Sequence, residues 1–567
     1  YQLYGDGSGL TSISASVSSD AVRNTVGGTT AGNAITGSGE DNTFFGFRTG
    51  CNVQDGDSNT AIGSYAFNTT STGLTGNTAM GRSALSSASA NDNVAIGCFA
   101  GNNNTTGEQN VYIGNHAGQG ASSAHTGTAN VAIGTKAYRL GNSGNTNVAI
   151  GYEAGEDIKG GSANNIAIGN GAGKTIDNGD DNIALGRFSL GSATVTGNDN
   201  IALGCNASRC RASGNTNIAL GKNALLGSST AADNSGAGNI SLGEASGGST
   251  TSGAYNIFMG YYAAYKNSTG GDNVALGRKS MFCGTTQSKG VAIGFCAMHG
   301  NTTTAPTGEQ NVAIGYESLR DICTGHSNTA LGALAMSGLT GGCYNLAIGK
   351  GAAPKISTGK YNIALGYHAL CGGPLTGDHN FGGGYKSGEQ LTSGQYNVLL
   401  GWNAGRCSTT GSSNVFLGYN AGLESDDGAC NISIGFNAGC YMRLSNNIAI
   451  GRYAGSSVGA GCRNVFIGDE AGSSSGTATN NSAIANVGVG PDALKDITTG
   501  DCNVAIGLAA GAQITTGSQN SFIHYFSGRY VTTGTGNIGM GRGAGAKLGA
   551  GNYNVSLGYD AGFGNCA

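Results

Sequence analysis

The chain has 567 residues, of which 106 are Gly and only 4 are Pro, with a formal net charge of -4. Charged residues make up 11% and apolar residues 38%. This excludes collagen, which needs Gly at every third position and abundant Pro, a long coiled coil rich in charged helix formers, and a disordered chain of high net charge and few apolar residues.

Residues 1–23 read as an N-terminal connecting segment. It opens on Tyr1 rather than Met and carries no signal-peptide pattern, which reads as a processed chain or a fragment. From Asn24 to the end, residues 24–567 read as one continuous repeat domain, because a single short unit recurs about thirty-one times. Asn147-Val148-Ala149-Ile150-Gly151 returns as Asn311-Val312-Ala313-Ile314-Gly315 and as Asn414-Val415-Phe416-Leu417-Gly418. With Asn as position 0, most copies are 17 or 18 residues apart. Four spacings are longer, 20 to 22 residues, after Asn110, Asn217, Gly290 and Asn464.

Each position has a physical reading. Positions 1 and 3 are mostly Val, Ile, Leu, Met or Thr and share one face of an extended segment, so that face is expected to be buried. Position 2 is mostly Ala, also Tyr112, Phe258, Ser433 or Gly539, and is expected to face solvent or a neighbouring subunit. Gly at position 4 (Gly63, Gly151, Gly315, Gly418) is expected where a side chain would clash or φ must be positive. Position 7 is always Ala, Ser or Thr and fits a tight interior face, while Gly at position -3 reads as the turn into the next copy.

A 17-residue unit cannot bury its own apolar face, but stacked copies can. The expectation is an all-β parallel β-solenoid or β-roll of about 31 coils of 17–18 residues, a rod of roughly 150 Å at the usual strand spacing. Stacking turns the repeated Asn (Asn59, Asn93, Asn147, Asn165, Asn311, Asn414, Asn503 among them) into a ladder of side-chain amides. Fixed Gly, abundant Asn, Thr and Ser, and β-branched residues all disfavour helix.

Little in the chain points to chemistry. The 15 Cys scatter through the repeat phases and include no Cys-x-x-Cys, so free thiols are expected, Cys205 and Cys210 being the best candidate pair. The seven His fall at different phases, and His524 takes the place of the position-4 Gly, reading as an irregular coil. Asp180-Asp181 and Asp426-Asp427 are isolated pairs, not a calcium-binding repeat. No catalytic triad or converging carboxylate pair appears, so neither enzyme activity nor a metal or other cofactor is expected. A pI of 6.0 without a Lys/Arg cluster argues against nucleic acid, and no run of 18 apolar residues exists to cross a bilayer. Position 5 is often aromatic (Tyr152, Tyr316, Tyr367, Trp402, Tyr419, Phe436, Tyr559), which suits packing between subunits or sugar binding. Asn68, Asn104, Asn267 and Asn301 are sequons expected in connecting loops, hence candidate glycosylation acceptors. The surface is expected to rely on hydroxyls and amides rather than ion pairs.

The unit Asn-Val-Ala-Ile-Gly-x-x-Ala, at Asn93–Ala100, Asn130–Ala137 and Asn503–Ala510, resembles the head repeat of trimeric autotransporter adhesins. With Asn59–Gly63, Asn328–Gly332 and the Thr515-Thr516-Gly517 turn, it is even more similar to the tandem repeats of long bacteriophage tail fibres. The resemblance implies a homotrimer of β-solenoids, located outside the cell or on a virion, that reaches a host receptor or glycan. Two features depart from it: adhesin head repeats are commonly shorter, and residues 537–567 do not look like a self-cleaving fibre chaperone. The functional expectation is a structural fibre or adhesin shaft whose four longer connections make lateral contacts. The alternatives are a surface fibril polymerising end to end and an ice-binding solenoid.

Overall fold

The computed structural model describes residues 18–19, 22–35, 38–120, 125–230, 234–301, 306–474 and 481–563. The chain forms two compact units, residues 1–287 and 288–567. Each is a parallel β-solenoid, and no helix occurs among the described residues. Every repeat contributes one three-residue strand, at positions 1 to 3. Neighbouring coils pair parallel and in register: Val148, Ala149 and Ile150 lie opposite Ile166, Ala167 and Ile168, and Val312, Ala313 and Ile314 opposite Thr329, Ala330 and Leu331. Ser18–Ser19 pairs antiparallel with Thr25 and Val26. A second parallel pair, Asp157–Lys159 with Thr175–Asp177, closes the far wall of two coils.

Gly at position 4 ends each strand for both reasons read from the sequence. Gly315 has φ +133°, and a Cβ there would sit 2.6 Å from the carbonyl oxygen of Gly332 in the next coil. Gly at position -3 is needed for a different reason than a turn. Its φ is not positive, but a Cβ on Gly411 would press on the Gly428 carbonyl and lie 3.0 Å from the Asn414 amide nitrogen. His524 fits a Gly site with φ +111° and causes no bulge, since Ser521–Ile523 keeps parallel, in-register partners on both sides.

The strand faces are the reverse of the sequence expectation. Position 2 points into the coil: Ala149, Ala167 and Ala313 are fully buried, as are Tyr112, Phe258 and Ser433. Positions 1 and 3 point outward, and Ile168, Ile348 and Ile506 keep 36–40% of their surface exposed. The reason is room. A 17-residue coil encloses a lumen shared by the side chains of positions 2, 7, 8 and 11, and two aliphatic columns from each strand do not fit in it. Position 7 is Ala, Ser or Thr49 and buried in nearly every coil, as expected, and position 11 supplies buried aliphatics such as Ile158, Ile322, Leu391 and Ile497.

The lumen is filled by exchange of volume between positions 2 and 8. Where position 2 is Ala79, Ala132 or Ala313, position 8 of the same coil is the buried Leu85, Tyr138 or Leu319. Where position 2 is Phe44, Phe416 or Phe522, position 8 is Gly50, Gly422 or Gly528. A Cβ on Gly422 would lie 2.5 Å from the Phe416 ring. The left-handed backbone is not what excludes a side chain there, because Leu85 and Leu319 occupy the equivalent site with φ +48°. Phe416→Ala is therefore expected to cost about 3–4 kcal/mol as a cavity. Gly422→Leu alone is expected to overpack the coil at about 2 kcal/mol or more. The double variant should recover most of both losses; strict additivity in denaturant titrations would contradict the shared-lumen account.

Candidate functional site: the amide ladder and the outward face

Asn at position 0 sits at the strand entrance, buried in nearly every coil. Its side chain bridges three successive coils. In Asn165, Nδ2 donates to Asn147 Oδ1 at 3.0 Å and to the Gly179 carbonyl at 2.9 Å. Oδ1 accepts from the Asn182 backbone N–H at 3.0 Å and from Asn182 Nδ2 at 3.1 Å. The carbonyl it reaches is that of position -3, which is a further reason for Gly there. Asn59 reaches Leu74, Asn93 accepts from Asn110, Asn147 reaches Ser162, Asn311 reaches Gly325, Asn414 reaches Gly428 and Asn503 reaches Gly517. The ladder runs from Asn24 to Asn273 in the first unit and from Asn311 to Asn554 in the second.

Insertions do not break it. Asn239 still donates its backbone N–H to Asn217 Oδ1 at 3.0 Å across 22 residues, as does Asn486 to Asn464. The four longer connections expected to make lateral contacts include residues 121–124, 231–233, 302–305 and 475–480, which lie outside the described residues. Asn165→Ala removes the acceptor for two Asn182 donors and the donor to Gly179. The expected cost is about 3 kcal/mol, read as faster hydrogen exchange at Ile166 and Ile183 than at coils several turns away.

The sequons are not all loop residues. Asn104 and Asn267 are buried at position 11, where their Nδ2 atoms donate to Gly107 and Gly270 at 2.9 and 3.0 Å. Both side chains are buried in a column that also holds aliphatics such as Ile158 and Ile322, so in the folded chain neither amide is open to a glycan. Asn301 and Asn68 are half-buried. Asn68 Oδ1 accepts from the Cys51 thiol at 2.8 Å and from Asn52 Nδ2 at 2.9 Å.

The cysteines among the described residues are free, Cys205 and Cys210 included. Among the described cysteines, Cys430 and Cys502 are the exposed ones. Burial pushes the Cys440 thiol up to about 12. Cys371 Sγ lies 3.5 Å from His368 Nδ1, but burial and Glu389 raise the thiol, which keeps it protonated rather than nucleophilic. No group of three or more His, Cys, Asp or Glu among the described residues is placed to hold a metal ion. Asp180 accepts from the Ala163 N–H, and Asp427 accepts from Thr410, so the acidic pairs serve as coil-to-coil acceptors.

Ion pairs between coils, not expected from the sparse charge, include a cluster at positions 6 and 9 and pairs at position 5. Lys174 contacts Glu153 at 2.7 Å and Glu156 at 3.2 Å, with Lys136 and Arg139 completing the cluster. The bond from Lys174 leads the causes that hold the Glu153 carboxyl down at about 2. Arg452 pairs with Asp469 at 2.8 Å through two nitrogens. For Lys136–Glu153, Arg139–Glu156 and Arg452–Asp469, opposite charges 17 residues apart were the legible signal.

One cluster breaks the aliphatic lumen. His125 is fully buried, edge-on between the rings of Tyr112 and Tyr138 at 5.7 and 5.4 Å. Burial lowers its pKa from 6.5 to about 4, so the fold holds it neutral. The unfolded chain binds the proton first. Stability is complete above about pH 6.5, falls as pH drops below that, and has lost about 3 kcal/mol by pH 4. Hydrogen exchange at Asn104–Thr105 and His125–Gly127 is expected to accelerate over that range and to lose the pH dependence in His125→Phe.

Outward of the core, each unit presents the two exposed columns of positions 1 and 3. In the second unit they are bordered by rows of stacked rings. At position -1, Tyr344, Tyr361, His379 and Tyr396 stack at 4.8–5.1 Å with planes within 8°. At position 5, Tyr367, Tyr385, Trp402, Tyr419 and Phe436 stack at 4.1–6.5 Å. The ring faces are turned toward each other along the stack, so edges and hydroxyls meet solvent. A sugar that stacks on an aromatic ring needs the face.

No protein-family model matches the chain, and no curated protein is significantly similar to it.

Proposed function

We propose that the chain is a non-enzymatic structural shaft, a fibre or adhesin stem that carries attachment away from a virion or cell surface and works as a homo-oligomer. The observation that carries this reading is the pair of mostly aliphatic outward columns that each unit presents. Ile62, Ile96, Ile168, Leu185 and Leu220 in the first unit, and Leu331, Ile348, Ile467 and Ile506 in the second, each leave more than a third of their surface bare. A soluble monomer rarely exposes a contiguous apolar patch of more than a few hundred Å², and two such residues on each of about fifteen strands exceed that. Another copy of the chain is the natural cover. Its own columns repeat at the same strand spacing of about 4.8 Å, so apolar ridges meet apolar ridges along the whole stripe.

The number of copies implied by the likeness to trimeric adhesin and tail-fibre repeats is three. Shared low charge and the absence of any activated nucleophile among the described residues support a mechanical role, with many weak contacts to a host receptor or glycan summed by avidity. The ice-binding reading finds no support in the outward columns, which are mostly Val, Ile and Leu and carry Thr only at Thr25, Thr43, Thr60, Thr78 and Thr329 among the strands described.

Light scattering is expected to give a mass that is an integer multiple of 56.0 kDa. Ile168→Glu, Leu185→Glu and Leu220→Glu together should convert it to the monomer with its β circular dichroism intact. A monomeric parent chain, or a charged variant that keeps the multimeric mass, would reject the reading.

A further inference from the structure

The rings of the aromatic rows face one another, so a sugar has to be held by polar groups elsewhere. We propose that the notch beside Gly372 and Gly373, on the corner of the coils beginning at Asn345, Asn362, Asn380 and Asn397, binds a sugar unit that carries a carboxylate or a sulfate. This deepens the reading above, on which the shaft meets a glycan, and rests on it.

The notch starts from a bulge in the chain. In the coil of Asn362 the lumen place that Ile356 fills one coil earlier is taken by Leu375, at position 13 rather than 11. The residues passed over at positions 10 and 11 are Gly372 and Gly373. The coils on either side place Lys355 and Gln390 at position 10. Between those two side chains the corner is bare, and a cavity of about 490 Å³ opens there, walled also by Glu389 and Arg406. That is more than a lone oxyanion fills and is within the range of small-ligand pockets.

The first unit has a bulge of the same kind, where Val195 takes the place opposite Ile176, and it is closed. Its position 10 is Ser192, whose N–H bonds the Arg209 carbonyl and whose hydroxyl accepts from the Arg209 guanidinium. In the second unit the Gly372 and Gly373 N–H groups bond no backbone carbonyl among the described residues. One bulge is sealed by its own chain; the other is left open.

The wall selects the ligand by charge. Glu389 is its one carboxylate, and both oxygens are committed: Oε1 pairs with Lys386 at 2.9 Å, and Oε2 accepts from Arg406 Nε at 2.6 Å. Arg406 keeps its two terminal nitrogens for another partner. Lys355 is exposed on the rim and joins no ion pair among the described residues. The notch therefore presents spare cations and spare N–H donors around an acceptor that is already used, in a chain of net charge -4. Carboxylate and sulfate oxygens fit such donors, and the arginine fork suits them in particular. A neutral sugar leaves both cations without a partner.

The test uses the full chain, immobilised, with three soluble probes: a short galacturonic acid oligomer, dextran sulfate and neutral dextran. The parent chain is expected to bind at least one acidic probe and not neutral dextran, with affinity falling as NaCl rises. Lys355→Gln should weaken binding about tenfold, the loss of one charge-assisted hydrogen bond. Gly373→Glu should abolish it by filling the notch with opposing charge. The fold tolerates that change, because φ is not positive and a Cβ there meets only the Thr392 methyl, at 3.1 Å. Lys547→Gln, at position 10 of a coil without the bulge, should bind like the parent. Circular dichroism and light-scattering mass are read on every variant. Equal loss in Lys547→Gln, or full binding by both notch variants, overturns the site. So does a parent chain that binds no acidic probe or binds neutral dextran as well, and so does inorganic sulfate or phosphate competing as strongly as the oligomer. The shaft reading is judged separately, by the light-scattering mass, which none of these binding outcomes moves.

Discussion

A primary amide is costly to bury unless both its donors and its acceptor are used. In this chain a buried Asn meets that requirement by having the same residue one coil below and one coil above. Asn165 donates to Asn147, accepts twice from Asn182, and spends its other donor on the Gly179 carbonyl. No residue of another kind fits the slot with the same partners, and none of the partners is satisfied if the coils shift. The ladder therefore specifies register more strictly than the apolar lumen, which is made of small, interchangeable contacts. The tolerance of insertions follows: 22 residues between Asn217 and Asn239 loop away, and the amides still meet at 3.0 Å. Gly at positions 4 and -3 is a consequence as well, because coils held this close leave no room for a Cβ between successive carbonyls.

Much of this was legible because the chain repeats itself. The period, the parallel stacking, the ladder, the small residue at position 7 and the Gly at position 4 all follow from comparing copies within one sequence. The facing of the strand did not follow, and the reason is instructive. Alternation says that positions 1 and 3 share a face; it does not say which face is inside. Hydrophobicity was used to decide, and hydrophobicity points the wrong way when the lumen is too narrow for Ile and the exterior carries apolar columns. The deciding signal was present in the form of volume. Phe416 comes with Gly422 and Phe522 with Gly528, whereas Ala79 comes with Leu85 and Ala313 with Leu319. Side chains that trade size must share a space, so positions 2 and 8 are the interior pair. Asn104 and Asn267 were misplaced in the same way, read as loop sequons although position 11 holds buried aliphatics such as Ile158, Ile322 and Leu391 in other coils.

The ion pairs show a third limit. Glu153 and Lys174 are 21 residues apart and look like isolated surface charges in the sequence. Stacking brings them within 2.7 Å. In a solenoid, residues one period apart are neighbours, so charge patterning has to be read down the columns rather than along the chain. Being partly exposed, such pairs add little individually, and they lie outside positions 1 to 3, off the outward strand face.

That segregation bears on function. In both units positions 1 to 3 carry no charged residue among the strands described, and their outward face is left mostly aliphatic. If the only demand were a soluble, stable coil, Thr or Lys at positions 1 and 3 would serve equally well, since these side chains contribute little to the lumen. Thr occupies position 1 in only a few coils, and Val, Ile or Leu holds most of the rest. Interior packing cannot account for that choice, because the interior is built from positions 2, 7, 8 and 11. On the proposed reading, the residues that first looked like core are half of a core, to be completed by an identical surface on another copy.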